Sequence, residues 1–124
     1  MAPLILLADD HRFVRDGLVR ILKGAGFSDV IAVENGRRAV EAHAAEKPDV
    51  IFLDIQMPEL GGLEACREIR TVDPDVRIVI MTMHEADDVK QNALDAGAND
   101  YLLKSDAPVK IMDMITSGRC NPGS

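Results

Sequence analysis

No apolar run in this chain reaches the roughly 18 residues that span a bilayer, and no basic segment leads into a hydrophobic stretch at the N-terminus. A membrane span and a secretory leader are therefore not expected, and the reading is a cytoplasmic protein. Cysteine is scarce. Cys66 and Cys120 stand in dissimilar surroundings without metal-type spacing, so both are expected as reduced thiols. His11, His43 and His84 are scattered and show no ligand spacing, which favours solvated or capping roles over metal binding. Positive charge is also short: 14 Lys and Arg face 21 Asp and Glu, giving a net charge of -7 and a pI near 4.8. Direct contact with nucleic acid is not expected, because like charges repel. The same surplus of carboxylates suits a site for a divalent cation, and it also serves plain solubility. No internal repeat is visible, and 124 residues leave room for one compact domain.

What is present is aliphatic and regularly spaced. Five apolar runs recur, at Leu4 to Ala8, Val30 to Val33, Val50 to Leu53, Ile78 to Met81 and Tyr101 to Leu103. They are continuously apolar rather than alternating, as expected of strands covered by helices on both faces of a parallel sheet. Between them lie helical stretches. Val14, Leu18, Ile21 and Leu22 share one face of the first, which stops at Gly24-Ala25-Gly26. The second is expected to begin near Asn35 and run to Glu46, before Pro48-Asp49 turns into the third strand. The remaining helices are expected over about 63–70, 86–96 and 108–116. Strict alternation predicts an α/β, doubly wound parallel sheet with five helices and the flavodoxin-like strand order 2-1-3-4-5. Residues 1–118 read as this domain, and 119–124 as a linker stub or cloning scar.

In open parallel sheets, ligands bind beyond the carboxyl ends of the strands, where the winding reverses. Asp9-Asp10 follow the first strand, Asp54 the third, Thr82 the fourth and Lys104 the fifth. Singly, each has an ordinary role as a cap, turn or strand-end residue. Jointly they place three carboxylates, a hydroxyl and an ammonium on one sheet edge. Clustered carboxylates repel and raise one another's pKa unless a cation neutralises them, and Mg2+ suits such oxygen ligands. A carboxylate, Mg2+ and a lysine are the parts needed for in-line phosphoryl transfer onto the carboxylate.

The segments Leu7-Ala8-Asp9-Asp10-His11, Asp54-Ile55-Gln56-Met57-Pro58, Met81-Thr82, Gly97-Ala98 and Tyr101-Leu102-Leu103-Lys104 resemble the signature set of response-regulator receiver domains of two-component signalling. The family's chemotaxis members are a known instance of the 2-1-3-4-5 order, so order and resemblance form one expectation rather than two. The resemblance implies that Asp54 accepts a phosphoryl group from a sensor histidine kinase. It implies Mg2+ held by Asp10, Asp54 and the backbone carbonyl of Gln56, with Asp9 helping through a metal-bound water. Lys104 and Thr82 would bind the phosphoryl oxygens, and Thr82 with Tyr101 would form the switch pair. Pro58 and Gly62 would shape the loop around the acceptor.

Three positions depart from the common pattern. Met83 is bulkier than the small residue often found there and is expected to narrow access to the phosphoryl group. Ser105 replaces a frequent proline, so no cis peptide is expected. Gly61 stands where aspartate is frequent. Asp10-His11, Thr82-Met83-His84 and Lys104-Ser105-Asp106-Ala107-Pro108 are similar to the NarL/FixJ (LuxR-type) branch, whose members usually append a helix-turn-helix DNA-binding domain. The chain is therefore read as an excised receiver in preference to a single-domain regulator. Analogy further implies a switched surface near the first and fifth helices or the fourth, serving dimerisation or partner binding. The protein is expected to be a phosphoacceptor that promotes its own phosphorylation and dephosphorylation, not an enzyme. An aspartate-nucleophile phosphatase is the nearest rival, but it would need a second acid where Gln56 stands. A dinucleotide site is disfavoured because Gly24-Ala25-Gly26 precedes a strand and lacks the third glycine. A receiver acting as an unphosphorylated binding module is the remaining alternative.

Overall fold

The computed structural model describes residues 3–84 and 86–118. Strand and helix alternate along it: β1 (Ile5–Ala8), α1 (Arg12–Gly24), β2 (Val30–Val33), α2 (Gly36–Glu46), β3 (Val50–Asp54), α3 (Gly62–Val72), β4 (Arg77–Thr82), α4 (Asp87–Asp95), β5 (Asp100–Leu103) and α5 (Ala107–Gly118). The strands form one parallel sheet in the order β2-β1-β3-β4-β5, as expected from the alternation.

Side chains alternate across a strand, so the sheet divides the apolar residues into two cores. Leu6, Ala8, Ile51, Leu53, Ile78 and Ile80 face α2, α3 and α4, where Ala39, Ala65, Cys66, Ile69 and Ala93 meet them. Ile5, Leu7, Phe52, Val79 and Met81 face α1 and α5, packing on Leu18, Leu22, Ile111 and Ile115. Both faces of β1 and β3 are fully buried, which is why their sequences are uninterruptedly apolar. Each large aliphatic side chain so buried contributes about 1.5–3 kcal/mol by leaving water.

Local signals end the helices as the sequence implies. Asn35 caps α2, its side chain accepting from the Arg38 N–H at 2.8 Å. Gly26, at φ 101°, supplies the left-handed turn after α1, where the N–H of Phe27 reaches back to the Leu22 carbonyl.

Several expectations need adjustment. β3 and β4 each run one residue further than their apolar runs, so Asp54 and Thr82 are strand residues. A 3-10 turn at Lys104–Asp106 leads into α5, which begins at Ala107. No adjustment is needed for the Lys104-Ser105 bond, since there is no cis peptide among the described residues. Cys66 is buried and unpaired, and burial pushes its thiol up to about 11. Cys120 and the rest of segment 119–124 lie outside the described residues. His43 is neither solvated nor a cap: it is 3% exposed and its Nε2 lies 2.8 Å from Asp73 Oδ2. It shares the inner face of α2 with Gly36 and Ala39, one turn apart, and is buried with them.

Candidate functional site

The site gathers at the carboxyl ends of β1, β3, β4 and β5. Asp9 and Asp54 are 0% and 3% exposed, and Lys104 is 5% exposed. Burying such groups is costly unless they are paired. The ammonium of Lys104 lies between them, donating to Asp9 Oδ1 at 3.1 Å and to Asp54 Oδ2 at 3.2 Å. Lys104 stands 95 residues from Asp9 and 50 from Asp54, so only the fold brings them together.

Each carboxylate is set by its element. Asp9 Oδ1 also accepts the backbone N–H of His11 at 2.8 Å, and the Asp9 carbonyl accepts from Arg15 Nη1 at 2.8 Å, tying the carboxylate to the start of α1. Asp9 Oδ2 lies 3.0 Å from Lys104 Nζ and feels its charge, yet this buried oxygen accepts no hydrogen bond among the described residues. Asp10 is more open, its side chain 34% exposed. Asp54 Oδ1 receives only a long bond, 3.4 Å, from the backbone N–H of Gln56. Behind Asp54 the backbone is clamped. Gly62 donates its N–H to the Ile55 carbonyl at 3.0 Å, and a Cβ on Gly62 would collide with the Asp54 carbonyl. Pro58 and Leu60 complete the loop, with Leu60 N–H on the Pro58 carbonyl at 2.7 Å and Gly36 N–H on the Leu60 carbonyl at 3.0 Å.

The electrostatic result is a carboxyl group held out of its ordinary range. Burial, aided by repulsion from Asp9, pushes Asp54 up to about 6 against the opposing pull of Lys104. The acid is therefore short of positive charge.

Thr82 is 3% exposed on the same edge, and its hydroxyl donates to the His84 carbonyl at 3.1 Å. Met83 is largely exposed beside it. Tyr101 is half-buried against the helices α2 to α4, with the Lys90 ammonium 5.8 Å from its ring centroid. The residue that spacing arguments passed over is His11. Its Nδ1 is 3.0 Å from Lys104 Nζ, 3.4 Å from Asp9 Oδ1 and 3.3 Å from Asp10 Oδ1. Its place directly after Asp10 was the available signal.

Asp9, Asp10, His11 and Asp54 each offer a ligand atom, and these atoms lie within 4.8 Å of one another. The set is mostly hard oxygen, with one buried carboxylate oxygen lacking a hydrogen bond, and it fits a hydrated divalent cation. The arrangement is one of an acceptor carboxylate, a cation site and an ammonium on a single edge.

Comparison with known proteins agrees with this geometry. A family model described as the response regulator receiver domain matches residues 5–116. The chain is 42% identical over 104 residues to the response regulator MprA of Mycolicibacterium vanbaalenii, covering 84% of this chain and 45% of that one. It is 33% identical over 115 residues to the chemotaxis protein CheY of Thermotoga maritima, covering 93% and 96%. It thus spans less than half of the first relative and nearly all of the second. Among solved structures, a LuxR-family two-component response regulator from Aurantimonas sp. superposes with a TM-score of 0.86 at 33% identity, covering 94% of this chain and 84% of that one.

Proposed function

This chain belongs to the response regulator receiver family, and from that premise we propose that Asp54 accepts a phosphoryl group from a sensor histidine kinase. The observation that carries the reading is the Lys104 ammonium held against both Asp9 and Asp54, beside an acceptor short of positive charge. In the proposed transfer an Asp54 carboxylate oxygen attacks phosphorus, the bond from phosphorus to the donor imidazole breaks, and the imidazole leaves with that electron pair. Asp54 needs no base, being mostly ionised above pH about 6. Asp10, Asp54 and the Gln56 carbonyl would hold Mg2+, with Asp9 acting through a bound water. The ion, when bound, supplies charge neutralisation for the phosphoryl oxygens. Lys104 would donate to one phosphoryl oxygen and Thr82 to another.

The Thr82 hydroxyl would leave His84 to do so, and Tyr101 would turn inward behind it, completing the switch. The surface near α1 and α5, or near α4, would change in consequence. It would serve dimerisation or control of a DNA-binding domain in a transcription regulator acting in the cytoplasm. The protein would then be a phosphoacceptor that promotes its own phosphorylation and dephosphorylation.

Incubation with Mg2+ and a small phosphodonor, followed by mass spectrometry, tests the proposal. The expected result is one added phosphoryl group, stable in acid, labile in base and absent from Asp54→Asn. Turnover of phosphomonoesters without such an adduct would favour a phosphatase instead.

A further inference from the structure

An ammonium has three N–H donors, and those of Lys104 have three acceptors: Asp9 Oδ1 at 3.1 Å, Asp54 Oδ2 at 3.2 Å and His11 Nδ1 at 3.0 Å. Lysine can only donate, so this contact is a hydrogen bond in the tautomer that leaves Nδ1 a lone pair; the same Nδ1 lies 3.4 Å from Asp9 Oδ1 and 3.3 Å from Asp10 Oδ1. The Lys104 side chain is 3% exposed, so each of its donors needs a partner. An incoming phosphoryl oxygen must displace one of the three. Asp9 is wholly buried, and losing Lys104 would leave its charge without a cation. Asp54 is the group being phosphorylated. His11, with 58% of its side chain exposed, is the acceptor that water can serve once Lys104 has gone.

On the receiver reading, we infer that His11 is a positioning residue which holds Lys104 in the phosphate-free site and must release it when a phosphoryl group arrives. His11 acts through Lys104, its Nδ1 standing 3.9 Å from Asp54 Oδ2, beyond hydrogen-bond reach. It thereby restrains occupation of the site, which a spacing argument for ligands does not reveal. Although His11 occupies the N-cap of α1, its side chain makes no capping bond, so His11→Leu removes no capping bond from the helix.

The test is titration of the whole chain with beryllofluoride, a phosphoryl mimic, at saturating Mg2+. Fluorescence of Tyr101 reports it, since the chain has one tyrosine and no tryptophan. His11→Leu removes the acceptor, whereas His11→Asn keeps a side-chain oxygen near the place of Nδ1. The midpoint should fall about fivefold in His11→Leu, the effect of one modest hydrogen bond, and return to within twofold of wild type in His11→Asn. Thermal unfolding of each variant checks that the fold is retained. An unchanged midpoint in His11→Leu overturns the inference, as does a His11→Asn protein that behaves like His11→Leu. A wild-type protein that does not respond to beryllofluoride sinks the receiver reading and this inference with it. A wild-type response combined with an unshifted His11→Leu sinks the inference alone.

Discussion

At the carboxyl edge of the sheet an imidazole, two buried carboxylates and an ammonium meet in His11, Asp9, Asp54 and Lys104. At the opposite edge an imidazole, a partly exposed carboxylate and a guanidinium meet in His43, Asp73 and Arg70. There, Asp73 Oδ2 pairs with His43 Nε2 at 2.8 Å while its Oδ1 accepts the N–H groups of Asp75 and Val76, both at 3.1 Å. Arg70 donates to the carbonyls of Gly97, Asp73 and Val76 and to Asn99 Oδ1. The hydrogen bond from His43 leads in holding the Asp73 carboxyl below the usual range. At the site, burial drives Asp54 the other way and Asp9 keeps an oxygen without a hydrogen bond. One cluster completes its own electrostatics and fastens α2 and α3 to the segment that leads into β5. The other leaves a deficit that a ligand can fill, which is the expected mark of a functional site.

The contrast can be broken by substitution. The largest effect is expected from Lys104→Met, which leaves Asp9 and Asp54 buried without a cation. Urea unfolding of the metal-free protein should show a loss of about 3 kcal/mol. Asp73→Ala should cost about 2 kcal/mol in the same assay, because His43 and two backbone N–H groups lose their acceptor. A gain in stability there would dissolve the distinction between the edges.

Asp54→Asn should do the reverse and stabilise the metal-free protein. The rise from 3.8 to about 6, already net of the pull of Lys104, implies a gain on the order of 2 kcal/mol at pH 7. The folded state holds the Asp54 proton more tightly than the unfolded chain does, so wild-type stability falls as pH rises through that window. The gap between wild type and Asp54→Asn should therefore be absent below about pH 4, open towards pH 6 and be complete at pH 7. A gap independent of pH would mean that the charge of Asp54 is not its source. The smallest effect is that of Mg2+. At about ten times its dissociation constant it should add about 1.4 kcal/mol to wild type and much less to Asp54→Asn, as read by melting temperature.

The fold was legible because β1 and the middles of β3 and β4 are buried on both faces, so that polar residues stand only at the strand ends, at Asp54, Arg77 and Thr82. Asp9, Asp54, Thr82 and Lys104 were legible because each directly follows or ends an apolar run. What spacing could not give is pairing across the chain. His43 and Asp73 are 30 residues apart and on different elements, and neither carries a local signal of the other. Periodicity did place His43 one turn after Ala39 on the inner face of α2, a signal that scattered histidine spacing obscured. His11 was overlooked for a related reason, since its partner Lys104 lies 93 residues away. The 3-10 turn at Lys104 escaped because it has no apolar period of its own.

The press of Gly62 against the Asp54 carbonyl has a consequence for how such a site can diversify. The acceptor is anchored by main chain on main chain, with Leu60 and Gly36 joined in the same way. Side chains on the rim, such as Gln56, Glu59 and Met83, are thus relieved of any duty to hold the carboxylate in place. They are free to vary in size and charge, so that kinetics and partner choice can drift while the carboxylate stays where it is.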